Sequence, residues 1–230
     1  MLANKSINDV IKEVFSYNSF NDRLKYIEDT FGKKNALSIL RQIYASVGAL
    51  NESENEYLNV FNFLQKHYNL NGNILEIGGG YYPALASYID KYQRKIGCGT
   101  ITVIDPELGV SKLGSIKLYK EIFNKQDDIS SYDLIISQAP CLMLDEITQA
   151  AIQKNKEFFV TLCKCVIDKY PYMIDFYSDD YGFENIQNKK FSEMKKLNGE
   201  NKELIIDTGT IFYDTYSEIK YFTGKKLIKK

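Results

Sequence analysis

The 230-residue chain is 44% hydrophobic and 26% charged, the balance of a folded domain with a full core, which excludes a disordered or fibrous polymer. Its formal net charge of −1 gives no general field toward nucleic acid or anionic lipid, so any such contact would be confined to a local patch. No apolar run is long enough to span a bilayer and no apolar signal core opens the chain, so a cytoplasmic protein with no membrane partner is expected.

Helical periodicity fills residues 1–70. Ile7, Val10, Ile11, Val14 and Phe15 recur at the spacing of one helix face. Leu24, Ile27 and Phe31 repeat the pattern, with Gly32 as a stop. Leu37, Leu40, Tyr44 and Val47 form a third stripe closed by Gly48, and Tyr57, Val60, Phe61 and Leu64 form a fourth. His67 ends that stripe, where a place beside the last helix carbonyls is expected rather than catalysis.

After Asn71-Gly72 the pattern changes. Short apolar runs at 74–77, 101–104, 133–137 and 158–163 alternate with helix-like segments at 83–92 and 145–155; 115–123 is a weaker strand candidate. Apolar strands separated by helices imply a parallel sheet covered on both faces. Residues 203–207, 210–216 and 218–222 read as strands joined by short turns, at least partly antiparallel. The expected fold is a doubly wound α/β domain over 71–230, preceded by a helical extension or cap over 1–70.

The cysteines, Cys98, Cys141, Cys163 and Cys165, form no C-x-x-C pair, so no metal site is expected. Cys163 and Cys165 would share a strand face, where buried thiols packing as small apolar groups is the simplest reading.

The segment ILEIGGGYYPALA, residues 74–86, places three glycines between a strand and a helix start at Pro83. In an open parallel sheet, ligands bind beyond the carboxyl ends of the strands. Glycines there permit torsions closed to other residues and let a ligand approach the backbone, although a plain turn can want the same residues. The next strand ends at Asp105, whose carboxylate could accept both ribose hydroxyls of a nucleoside. An Asp105-Pro106 turn is the structural alternative. Counting G-x-G-x-x-G from Gly78 puts Pro83 where a dinucleotide fingerprint needs glycine, which favours a mononucleoside-like cofactor over NAD.

With these residues the chain resembles the class I S-adenosylmethionine-dependent methyltransferases over roughly residues 70–165. The resemblance implies a Rossmann-like, mostly parallel sheet of seven strands with an antiparallel hairpin last, and S-adenosyl-L-methionine as cofactor. It implies that Glu76 lies near the methionine amino group and that Gly78, Gly79, Gly80 and Tyr81 cradle the ligand. It places the ribose at Asp105 and Pro106. Gln126, Asp127 and Asp128 become candidates for the adenine amino group, with a solvated acidic loop as the alternative. The family's last loop glycine is replaced here by tyrosine in Gly80-Tyr81-Tyr82, whose rings either cover the cofactor or close its site.

YDLIIS at 132–137 looks like the family's fourth motif, which puts Ser137, Pro140 and Cys141 at the transfer site, with Ser137 also near the cofactor. Asp145 and Glu146 could supply a base, though acids in a first helical turn are ordinary capping. Asp179-Asp180 reads as a loop. Pro140-Cys141 and Glu184-Asn185-Ile186 echo two motifs of cytosine-C5 methyltransferases, but their spacing does not fit. The leading expectation is methyl transfer to a small molecule, in preference to nucleic acid. Aminocarboxypropyl transfer, as in nicotianamine-synthase-like enzymes, and a non-catalytic binding protein with a decayed cofactor site stay open beside it.

Overall fold

A computed structural model describes residues 7–50, 55–140, 143–162, 179–199, 203–214 and 217–227. Cys141, Cys163 and Cys165 lie outside them; Cys98 is exposed. Four helices come first: α1 (Ile7–Ser16), α2 (Phe20–Phe31), α3 (Ala36–Ser46) and α4 (Glu56–His67). Ser19 caps α2 by accepting the Asp22 N–H at 3.1 Å, and Asn55 caps α4 through the Leu58 N–H, also at 3.1 Å.

The sheet follows: β1 (Asn73–Ile77), β2 (Thr100–Ile104), β3 (Lys117–Tyr119), β4 (Leu134–Ser137), β5 (Glu157–Thr161), β6 (Leu204–Asp214) and β7 (Ser217–Lys226). Helices α5 (Ala84–Ile96), α6 (Leu144–Gln153) and α7 (Asp179–Asn198) connect these strands. The strand order is β3-β2-β1-β4-β5-β7-β6; the first five are parallel and β7 runs antiparallel to both neighbours. This is the mixed, mostly parallel seven-stranded α/β sheet expected.

Alternation along the strands divides the core in two. Ile74 packs with α5 and with Val60 and Leu64 of α4, while Leu75 and Ile77 pack with α6 and with Ile186 and Met194 of α7. Thus α4 covers a sheet face. Helices α1 to α3 bury Val10, Val14, Ile27, Ile39, Leu40 and Ile43 among themselves in a third cluster.

Several elements depart from the sequence reading. On α3 the buried face is Ile39, Leu40 and Ile43, whereas Leu37 and Val47 stand in solvent. Two stripes share Leu40, and packing against α2 and α5 selects the one periodicity did not. The strand expected over 115–123 shrinks to an edge strand at 117–119. The described parts of the segments at 203–207 and 210–216 meet in one strand, β6 (Leu204–Asp214), paired along its length with β7. Asp179-Asp180 opens helix α7 and is not a loop. The face that α7 buries includes Gln187 and Lys190 beside Ile186 and Met194, and those polar positions hide the apolar period.

Candidate active site

Strand β1 lies between β2 and β4, and the chain winds to opposite sides from it. The crevice above the carboxyl ends of β1 and β4 is therefore the switch point of the sheet, where a ligand meets loops and no crossing chain. The three-glycine loop sits there. Gly78 and Gly80 have φ of +80° and +72°, the left-handed region that favours glycine. A Cβ on Gly79 would stand 2.7 Å from Val103 Cγ1 and 2.9 Å from Pro83 Cβ. Pro83 is the N-cap of α5, one position earlier than a first-turn proline.

Glu76 shares the face of Ile74, so alternation aims it at the start of α5. Its Oε2 accepts the Ala86 N–H at 3.0 Å, capping a free donor of that helix. The side chain is buried. Burial pushes its carboxyl up to about 8; the Ala86 N–H pulls the other way and the nearby Asp105 charge pushes further up.

Asp105 follows β2 directly. Its Oδ2 accepts the Gly80 N–H at 2.8 Å and its Oδ1 the Glu107 N–H at 2.6 Å. Only 8% of the residue is exposed, yet a carboxylate oxygen accepts two hydrogen bonds, so each retains one free acceptor position. Pro106 is exposed beside it.

The two loop tyrosines part ways. Tyr82 is buried in the core, its N–H donating to Gln42 Oε1 at 3.1 Å. Tyr81 turns outward, its ring centroid 4.4 Å from that of Phe31 at the end of α2. Its carbonyl accepts the Gly109 N–H at 3.0 Å, and a Cβ on Gly109 would run into the ring. Tyr81 is thus a wall between α2 and the loop after β2. Asn35 ties the same two regions together through Glu107 at 3.0 Å. Gln42 also hydrogen-bonds the Tyr57 phenol of α4, so one amide joins α3, α4 and the glycine loop.

At the tip of β4, Ser137 is fully buried and its hydroxyl donates to the Ile77 carbonyl, binding β4 to β1. Ala139 has φ +53°, and its N–H donates to Thr161 Oγ1 at 2.7 Å. Pro140 lies against the loop, its Cα 3.6 Å from where a Cβ on Gly78 would be. Asp145, in the first turn of α6, meets Lys190 Nζ of α7 at 2.8 Å. Lys190 is buried and bonds Glu193 as well, at 2.9 Å.

Asp127 and Asp128 are not at this site. Carbonyls of residues 126 and 127 accept Lys154 Nζ, and those of Ser130 and Tyr132 accept Lys156 Nζ, just before β5 begins. This loop therefore lies along the amino edge of the sheet, roughly 13 Å from the glycine loop across a four-residue strand. The placement favours the solvated-loop alternative for Gln126, Asp127 and Asp128 over contact with an adenine. Asp128 serves its own turn, accepting the Ser130 N–H at 2.8 Å. Hydrogen bonds from Ser130 hold its carboxyl below the ordinary value.

Sequence reasoning missed Gln42 and Lys190. The only signal for Gln42 was its place among Ile39, Leu40 and Ile43 on one helix, and for Lys190 there was none. Among the described residues, no group of three His, Cys, Asp or Glu is placed to hold a metal, and no helix is long and apolar enough to cross a membrane.

No family model and no curated protein matches the sequence. Solved structures do match. The plantazolicin methyltransferase BpumL, crystallised with a pentazolic desmethylPZN analogue and SAH, is similar over 94% of this chain and 98% of its own, at 13% identity and a TM-score of 0.50. The chain has the class I methyltransferase fold. Two further methyltransferases have lower scores. The citrinin polyketide synthase CMeT domain has a TM-score of 0.49 at 12% identity, over 93% of this chain and 65% of that one. The precorrin-6y C5,15-methyltransferase of Geobacter metallireducens has a TM-score of 0.45 at 12% identity, over 73% and 87%.

Proposed function

We propose that this chain is an S-adenosylmethionine-dependent methyltransferase acting on a small molecule. The observation that carries the reading is the glycine loop at the switch point, bracketed by Glu76 and Asp105, with Asp105 holding the Gly80 N–H. The loop fits such a cofactor, because its glycines adopt torsions and packing that leave the backbone as the surface a ligand meets. When bound, the cofactor supplies a methyl group on a cationic sulfur, open to in-line displacement.

In this reading Glu76 faces the ligand's ammonium, which would draw it into its ionised form. The free acceptor positions of Asp105, beside Pro106, take the ribose hydroxyls, while Gly78, Gly79, Gly80 and Tyr81 line the ligand's path. Ser137 holds β4 against β1 and Pro140 backs the loop; Cys141, the other candidate for the transfer site, lies outside the described residues. Asp145 would act as a base only after leaving Lys190. Helices α2 and α3 and the turn between them supply the cap through Phe31, Asn35 and Gln42. The BpumL complex with SAH supports the reading, and the near-neutral charge supports a small substrate over nucleic acid.

One observation favours a second reading, a non-catalytic binding protein: both Asp105 oxygens already serve backbone donors. Calorimetry with S-adenosylmethionine and S-adenosylhomocysteine separates the two. Binding by wild type is expected, and Asp105→Ala should weaken it by about 1–3 kcal/mol through lost charged hydrogen bonds. No heat at millimolar ligand would sink the methyltransferase reading, and an unchanged affinity in the variant would move the ribose elsewhere.

A further inference from the structure

We propose that strand β6 is the contact surface for a second copy of this chain, the two β6 strands pairing antiparallel about a two-fold axis into one continuous sheet. The two edges of the sheet are unlike. At one end β3 spans three residues, Lys117 among them, which is how natural proteins blunt an edge. At the other end β6 spans eleven. From 204 to 212 it contains neither proline nor lysine, and Asp207 is its only charge. Phe212 is 73% exposed and Ile205 53%. A long apolar edge of this kind is a template for another strand.

The backbone shows which groups are open. The Leu227 N–H donates to the Glu203 carbonyl, so in the β6–β7 register the odd-numbered residues of β6 share the ladder bonds with β7. The even-numbered ones, 204 to 212, turn their N–H and C=O groups away from the sheet. Two of these groups are met locally: Asn198 Nδ2 donates to the Leu204 carbonyl at 2.7 Å, and the Thr208 N–H donates to Asp207 Oδ1 at 2.8 Å. Among the described residues no hydrogen bond reaches the outward groups of Ile206, Thr210 and Phe212.

The order of residues selects the partner. With the axis at Thr208, Leu204 faces Phe212 of the second copy, Ile205 faces Ile211, and Asp207 faces Gly209. Opposed residues of an antiparallel pair lie on the same face. Each exposed Phe212 therefore covers the Leu204 end of the cluster that includes Met194, and each Ile205 lies on Ile211 at the margin of the other cluster. Gly209 leaves the space opposite Asp207 open. The Tyr221 hydroxyl stands over it, 2.5 Å from where a Cβ would be, placed to donate to the carboxylate of the other copy. The strand is thus complementary to itself, as a two-fold contact requires. Residues 204–212, at about 3.4 Å each, give an edge about 30 Å long; closing it buries on the order of 1,000 Å², the lower limit for a specific interface.

Sedimentation velocity on the full chain between about 1 and 100 µM, with no ligand added, tests the pairing. Wild type should pass from monomer to dimer over that range, as suits an interface of the smallest specific size. Thr210→Pro removes an outward N–H that has no partner within the chain, at the kind of edge position where proline is tolerated. It should sediment as a monomer with an unchanged circular-dichroism melt. Phe212→Lys puts a charge on the edge and should weaken association by about tenfold or more; it decides the matter if the proline variant fails to fold. Ile122→Lys, at an exposed apolar position outside β6, should dimerise as wild type does. A wild type that stays monomeric at about 100 µM or grows into open polymers would overturn the proposal, as would a dimer that Phe212→Lys leaves unweakened. None of these outcomes depends on cofactor binding, so the methyltransferase reading is tested separately.

Discussion

Replacing Glu76 by glutamine should stabilise this protein, and by an amount that depends on pH. Unfolded, a glutamate titrates near 4.5; in the fold Glu76 is raised to about 8, chiefly because burial penalises its charge. Between those values the folded chain holds a proton that the unfolded chain has released, so rising pH favours unfolding. Nothing is lost below the lower value, and the loss is complete above the upper one. At about 1.4 kcal/mol per pH unit the penalty reaches about 3 kcal/mol by pH 7 and is on the order of 5 kcal/mol beyond pH 8. Glutamine keeps the shape, and its oxygen still accepts the Ala86 N–H, but it carries no charge. Urea titrations of both proteins at pH 5 to 9, followed by circular dichroism, give the difference in unfolding free energy at each pH. That difference should be small at pH 5 and grow steadily to pH 8. A difference that is flat with pH would mean that Glu76 is ionised in the fold throughout, and the account of its burial would be wrong.

Gln42→Ala should lower stability by about 1–3 kcal/mol, because it leaves the buried Tyr82 N–H without an acceptor. Thermal unfolding would read this as a fall of several degrees, and an unchanged midpoint would remove the amide as the link between cap and loop. Asp127→Ala and Asp128→Ala should leave S-adenosylhomocysteine affinity within about twofold, a change worth less than one hydrogen bond, since their loop lies at the far edge of the sheet. A loss of tenfold in either variant would contradict that placement.

Much of the site was legible because it is local in sequence. A strand, three glycines and a proline-led helix are consecutive, and the next strand's terminal acid follows from chain order alone. Periodicity also located α1, α2 and α4 and the parallel strands, since each buries an apolar face of its own. It failed on α7, whose buried face carries Gln187 and a lysine made tolerable by Asp145 and Glu193. It also failed to tell which of two overlapping stripes on α3 faces inward.

The sequence by itself determined the fold class, the glycine loop and the acids at the tips of β1 and β2. Those properties depend on short-range alternation and on backbone torsions that few residues permit. The tertiary structure decided which polar groups meet. It carried Asp127 and Asp128 to the far edge, set Gln42 against the loop forty residues away and turned Tyr82 into the core. Hydrogen bonds between distant segments leave no period in a sequence; only packing of the layers fixes where a loop returns and which side chains it delivers.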